Sequence, residues 1–164
     1  MKETDNLQKI EYENLSEDYQ RLLNEAEKVM DRAYNPYSGF SVGAALLTKN
    51  GKIITGANVE NAAYGSSICA ERAAILRANA EGYREFCAIA VIAKGKDSDT
   101  TGITAPCGEC RQVLNEFSQV SECDFDVILS TTKKDKIAIF KLSQLLSLPF
   151  GPKDLGINVK RYQR

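Results

Sequence analysis

The sequence predicts one α/β domain in which helices cover a mixed sheet. Three observations predict it. Stretches with helical periodicity alternate with strand-length apolar runs. One run, Phe86 to Ala93, is apolar throughout and reads as a strand buried on both faces. At 164 residues the chain is long enough to bury one core and cramped for two.

Residues Met1 to Leu15 lack a sustained apolar period, so 1–15 is expected as a flexible N-terminal arm and 16–164 as the single domain. Ser16 is a candidate N-cap, and Glu17 and Asp18 suit the positive end of a helix. That helix carries apolar residues at Tyr19, Leu22, Leu23, Ala26, Val29, Met30 and Ala33. Pro36 cannot continue it. Phe40 to Thr48 and Lys52 to Ala57 read as two strands joined by a two-residue hairpin turn at Asn50-Gly51. Gly43, Ala44 and Ala45 leave room for a covering helix.

Asn58 to Gly65 is a polar loop. The next helix is expected from Ser66 or Ser67 through Ala78, stopping by Gly82, with Cys69, Ala70 and Glu71 in its first turn. After the Phe86 strand and a polar loop from Lys94 to Ala105, Pro106 is expected to open a helix from Cys107 to Phe117. Phe125 to Ser130 and Lys136 to Phe140 read as the remaining strands, and Leu142, Leu145 and Leu146 as a short helical turn.

Composition removes several function classes. The chain has no histidine, which excludes Ser-His-Asp and Cys-His catalysis and leaves sulfur and carboxylate as metal ligands. Net charge is −1 and the isoelectric point about 5.6, so no excess of cations is offered to a nucleic acid. Five cysteines, an odd number behind a polar N-terminus, fit a reducing cytoplasmic or nuclear setting better than a disulfide framework. No apolar run is long enough to cross a bilayer, and no membrane partner is expected.

The chemistry concentrates in Cys69-Ala70-Glu71-Arg72 and Pro106-Cys107-Gly108-Glu109-Cys110. Cys107 and Cys110, three apart, share a helical face. With Cys69 they offer three thiolates to one zinc ion, while Glu71 supplies a carboxylate two residues from the first ligand. A catalytic zinc keeps one position for water, and a structural zinc fills all four with protein. Three thiolates leave the zinc centre at −1, so Arg72 is expected to donate to one or two sulfurs and draw electron density away. Two other readings of the cysteines stand beside this one. They are a redox Cys-x-x-Cys pair, and a four-thiolate structural site recruiting Cys87 or Cys123, a zinc-stapled module without turnover.

A ligand-x-Glu element upstream of Pro-Cys-x-x-Cys is the signature of zinc-dependent nucleobase deaminases, here with Cys in place of His. From about Tyr34 to Leu155 the chain resembles cytidine deaminases of the small homotetrameric type. The resemblance is carried by Asn35-Pro36-Tyr37-Ser38-x-Phe40-x-Val42-Gly43-Ala44-Ala45, Gly56-x-Asn58-x-Glu60-Asn61-x-x-Tyr64, Cys69-Ala70-Glu71-Arg72 and Pro106-Cys107-Gly108-x-Cys110-Arg111-Gln112.

It implies a three-layer α/β/α sandwich with a five-stranded mixed sheet, one zinc ion per subunit on Cys69, Cys107 and Cys110, and Glu71 as the catalytic proton carrier. By the same resemblance Phe40 lies against the pyrimidine, Asn58 and Glu60 bond the ribose hydroxyls, and the Ala70 backbone holds the base edge. Tyr64 and Phe150 would reach the site across subunit contacts of a homotetramer. Ser147 departs from the pattern, since the family has Pro after the paired leucines. The implied activity is hydrolysis of cytidine and 2′-deoxycytidine to uridine and 2′-deoxyuridine with loss of ammonia, a step of pyrimidine salvage. A carboxylate near the sugar disfavours 5′-phosphorylated substrates. Another cytosine-bearing substrate, such as blasticidin S or a base in a polynucleotide, remains open to the same chemistry.

Overall fold

In the computed structural model, which describes residues 10–163, five strands form one sheet in the order β2-β1-β3-β4-β5. The strands are β1 (Ser41–Thr48), β2 (Ile53–Ala57), β3 (Phe86–Lys94), β4 (Asp126–Ser130) and β5 (Ile137–Lys141). Only β3 and β4 run parallel; the other neighbours are antiparallel. A parallel pair needs a crossover, and helix α3 (Gly108–Ser121) lies in the connection between them.

Period-two alternation divides the core. Ala44 and Leu46 of β1, Ile89 and Val91 of β3, and Val127 and Leu129 of β4 face one cluster, which includes residues of α2 (Ala70–Ala80) and α3. Their neighbours Ala45, Leu47, Ala88, Ala90, Ile92 and Ile128 face the other, against α1 (Glu17–Met30). The result is the expected α/β/α sandwich, with β3 buried on both faces.

The α1 helix begins at the expected N-cap, where the Ser16 hydroxyl accepts from the Tyr19 amide. It packs so closely on β1 that a Cβ at Gly43 would sit 1.9 Å from the Ala26 carbonyl oxygen. The small-residue run in β1 is therefore required by that approach.

Four expectations are corrected. The hairpin loop has three residues, because Thr48 and Lys52 still pair and Gly51 takes a φ of +83° after the turn. Helix α2 starts at Ala70 with Cys69 as its N-cap, since Ile68 stays extended and exchanges two backbone hydrogen bonds with Val59. Pro106 lies outside α3, which begins at Gly108 with Cys107 as N-cap and runs on to Ser121. Of the arm expected over 1–15, residues 1–9 lie outside the described residues. Residues 10–15 are packed: Leu15 is buried, Ile10 and Tyr12 lie against the α1 core, and Gln20 binds the carbonyls of Tyr12 and Leu15.

The short helix α4 (Leu142–Leu145) follows β5 directly, and two 3₁₀ turns, Pro152–Leu155 and Val159–Tyr162, complete the chain. Among the described residues no helix is long and apolar enough to cross a membrane.

Candidate active site

Helices α2 and α3 begin alike. Each has a cysteine at its N-cap, Cys69 or Cys107, and neither side chain caps its own helix. Both thiols sit beside N–H groups that have no intrahelical partner, at the positive ends of the helix dipoles. Cys110 lies in the first turn of α3.

The Cys69 and Cys107 sulfurs are 4.0 Å apart, those of Cys107 and Cys110 3.5 Å, and all three lie within 4.8 Å of one another. Tetrahedral zinc with Zn–S bonds of about 2.3 Å sets two thiolates about 3.8 Å apart. The sulfurs therefore fit that ion. Among the described residues no fourth Cys, Asp or Glu ligand atom joins the group. Cys87 instead directs its sulfur to the Leu47 carbonyl, 3.7 Å away.

Three adjacent negative charges oppose one another, and the thiols divide accordingly. A hydrogen bond from Cys110 draws the Cys69 thiol down to about 7. That bond, with burial and the Glu71 charge, pushes Cys110 up. A divalent cation removes this conflict, because ligation keeps all three as thiolates.

Glu71, in the first turn of α2, is 4% exposed. Burial raises its carboxyl, and the Arg72 charge opposes the rise. The expected bonds from Arg72 to sulfur are absent; its Nη1 donates to Glu109 Oε2 at 2.6 Å. A carboxylate is a stronger acceptor than sulfur, and Glu109 sits in the first turn of α3, opposite Arg72.

The proposed substrate loop is tied to the same region through the backbone. Val59 bridges to Ile68, the residue before Cys69, and also pairs with Tyr34. Next to Val59, the Asn58 carboxamide spans β1, accepting from the Val42 amide at 2.8 Å and donating to the Phe40 carbonyl at 2.9 Å. Glu60 Oε2 accepts from the amides of Tyr37 and Ser38 at 2.9 and 3.1 Å. With the Ser38 hydroxyl, these donors hold Glu60 below the ordinary carboxylate range. Phe40 itself is half-buried.

Ala70 is fully buried, and its carbonyl oxygen lies 2.6 Å from where a Cβ on Gly56 would be. Tyr64 is 75% exposed and meets Tyr37 edge to face, with ring centroids 5.8 Å apart. Phe150 is 60% exposed, and its carbonyl accepts from Gln112 and Asn115 of α3.

Comparison with known proteins decides the family. Residues 16–125 match the model of the cytidine and deoxycytidylate deaminase zinc-binding region. The chain belongs to this deaminase family. A cytidine deaminase of Sporosarcina psychrophila is 44% identical over 139 residues, 85% of this chain and 96% of its own. One from Halalkalibacterium halodurans is 45% identical over the same length, 85% of this chain and 98% of its own. The crystal structure of cytidine deaminase from Burkholderia pseudomallei superposes with a TM-score of 0.71 at 40% identity, covering 83% of this chain and 100% of that one.

Zinc is thus the metal of this deaminase domain, and Cys69, Cys107 and Cys110 are the residues whose geometry suits it. Sequence reasoning missed Glu109, which no residue pattern marked as a partner for Arg72. It also missed the side chains that anchor the C-terminal segment. Arg111 reaches the carbonyls of Pro106 and Leu145, while Gln112 and Asn115 reach that of Phe150.

Proposed function

We propose that the protein is a cytidine deaminase that hydrolyses cytidine and 2′-deoxycytidine to uridine and 2′-deoxyuridine, releasing ammonia. One observation carries the reading. A buried carboxylate, Glu71, stands two residues from a three-thiol cluster that has no fourth protein ligand among the described residues.

When bound to Cys69, Cys107 and Cys110, zinc supplies the Lewis acidity that makes water nucleophilic near pH 7. Glu71 takes the proton from the attacking water and delivers it to N3 of the cytosine as the C4–O bond forms. It then carries the second water proton to the amino group, the C4–N bond breaks, and ammonia leaves. One carboxylate serves both transfers because they are sequential. Its burial supports this role, since a shielded carboxyl exchanges protons with substrate in preference to solvent. Phe40 offers the pyrimidine a flat apolar face, and the Ala70 N–H, first in α2, is free of intrahelical bonding and suits the base edge. Asn58 and Glu60 bond the sugar hydroxyls with the donor and acceptor positions that the loop leaves free.

The wider assignment is a homotetrameric enzyme of cytoplasmic pyrimidine salvage. Exposed apolar side chains at Tyr64, Leu148, Phe150 and Leu155 support association, because a neighbouring copy would cover them. Tyr64 and Phe150 would then border a neighbour's substrate.

The test is loss of the cytidine absorbance band with and without a chelator, for the natural protein and Glu71→Gln. Zinc-dependent turnover that falls about 10²- to 10⁴-fold in the variant, with zinc content unchanged, is expected. Full activity of Glu71→Gln removes Glu71 from the mechanism. Metal-replete protein without turnover on cytidine removes the function.

A further inference from the structure

Phe40 is held at both of its backbone polar groups, and both restraints lead to residues assigned to the sugar. Its carbonyl accepts from Asn58 Nδ2 at 2.9 Å. Its amide donates to the Ser38 hydroxyl at 2.9 Å, and that hydroxyl bonds to Glu60. Glu60 also binds the Ser38 and Tyr37 amides, so the carboxylate fixes the turn that precedes Phe40. Gly39, between them, has a φ of +64° and lies against the Lys96 side chain, which leaves this turn little freedom to carry another residue.

The Asn58 carboxamide completes the clamp. Its oxygen accepts from Val42, and its nitrogen donates to Phe40, so a single rigid group fixes the peptide units on either side of Ser41. The ring of Phe40 leaves the backbone between these two restraints. A side chain that stacks on a base must hold its orientation to well under an ångström, and flexibility at the Cα spreads that orientation.

We propose that Asn58 and Glu60 are positioning residues for Phe40. Sugar recognition and base stacking are then one coupled unit: the groups that contact the ribose are the same ones that aim the ring. This rests on the cytidine deaminase reading for its kinetic consequences, although the clamp itself does not.

The kinetic test uses 2′,3′-dideoxycytidine, which lacks the adjacent 2′ and 3′ hydroxyls assigned to Asn58 and Glu60 and keeps only the 5′ hydroxyl. If Asn58 also acts through Phe40, Asn58→Ala lowers kcat/KM on this substrate by about tenfold, the scale of a lost internal hydrogen bond. In a Phe40→Ala background the same substitution then has little further effect. Asn58→Asp keeps the acceptor for Val42 and loses the donor to Phe40, so it should show the same loss even if the alanine variant folds poorly. Zinc content and unfolding midpoint serve as controls. Equal activity of natural and Asn58-substituted protein on dideoxycytidine overturns the proposal. So does an undiminished penalty in the Phe40→Ala background.

A second measurement needs no turnover. Hydrogen exchange at the Phe40 amide should accelerate in Glu60→Ala, because Ser38 loses the partner that orients its hydroxyl. Unchanged protection there overturns the clamp whether or not the protein deaminates cytidine, whereas a failure of cytidine turnover alone counts only against the function.

Discussion

Arg72 Nη1 lies 2.6 Å from Glu109 Oε2, and this ion pair joins the first turn of α2 to the first turn of α3. Those turns carry the three thiols. The pair engages Arg72 with a carboxylate that is 76% exposed, instead of with the sulfurs. An ion pair with one solvent-exposed partner is screened and contributes about 0.2–1 kcal/mol.

Glu109→Gln should therefore release Arg72 toward the thiolates and remove one negative charge from their surroundings. Zinc loss to a competing chelator is expected to slow by about 1.4-fold to fivefold, the factor equivalent to that energy. Arg72→Gln should accelerate it. Added salt should narrow both differences, since the Glu109 carboxylate faces solvent. Equal release rates for Glu109→Gln and the natural protein at low salt would show that Glu109 does not compete for Arg72.

Gly56 connects the sheet to the same site. A Cβ there would stand 2.3 Å from the Ala74 amide nitrogen and 2.6 Å from the Ala70 carbonyl oxygen, both backbone atoms of α2. Neither can rotate aside, so Gly56→Ala must push α2 off β2 and carry Cys69 and Glu71 with it. Overpacking of this kind costs about 1–3 kcal/mol. A lower unfolding midpoint and faster zinc loss are expected, measured against Gly102→Ala, where an added Cβ meets nothing within 4 Å. Identical behaviour of the two variants would sink the idea that this close approach sets the ligand geometry.

Much of this was legible because local signals agreed. The Ser16 cap, the apolar stripe of α1, the Gly43 approach and the run from Phe86 each read directly into an element. The start of α2 was less legible, because the signals at Ser66 and Ser67 compete with tertiary pairing. Ile68 is extended because Val59 binds it, and the partner lies nine residues upstream. The thiols were readable as a set because their chemistry and spacing are restrictive. Glu109 was not, since an acidic residue in a first helical turn is ordinary and only the fold brings Arg72 to it. The sequence assigns Asn58 and Glu60 to the sugar only by resemblance and gives no sign that both also hold the Phe40 loop, an arrangement that depends on folded backbone geometry.

Glu60 offers a pH test of that loop. The Ser38 hydroxyl and the Ser38 and Tyr37 amides favour its ionised form and hold it below the usual carboxylate range. A carboxylate depressed in the folded state adds stability above its unfolded pKa, about 4.3, and that contribution disappears as pH falls through the folded value. Glu60→Gln should therefore melt below the natural protein at pH 7, with the gap closing under acid conditions. Zinc loss at low pH affects both alike, so the difference between the melting curves is the informative quantity. Parallel curves from neutral to acid pH would mean that the loop does not select the anion.

Chelation should expose the thiols unequally. Cys69, drawn below the ordinary thiol range by the hydrogen bond from Cys110, is the more readily ionised thiol once the metal is gone, and the thiolate is the reactive form. Cys110 is fully buried and its proton is held more tightly, while burial raises Cys87. Brief treatment with iodoacetamide at pH 7, followed by peptide mass spectrometry, is expected to label Cys69 well ahead of Cys110 and Cys87 in chelated protein. Zinc-loaded protein should be protected at Cys69, Cys107 and Cys110 alike, because ligation draws electron density from the sulfurs and makes them weaker nucleophiles. Cys87 serves as the internal reference, since its sulfur faces the Leu47 carbonyl and lies outside the cluster. Labelling of Cys69 that is indifferent to the chelator would mean that this sulfur does not hold the metal, and the three-thiolate centre would have to be abandoned.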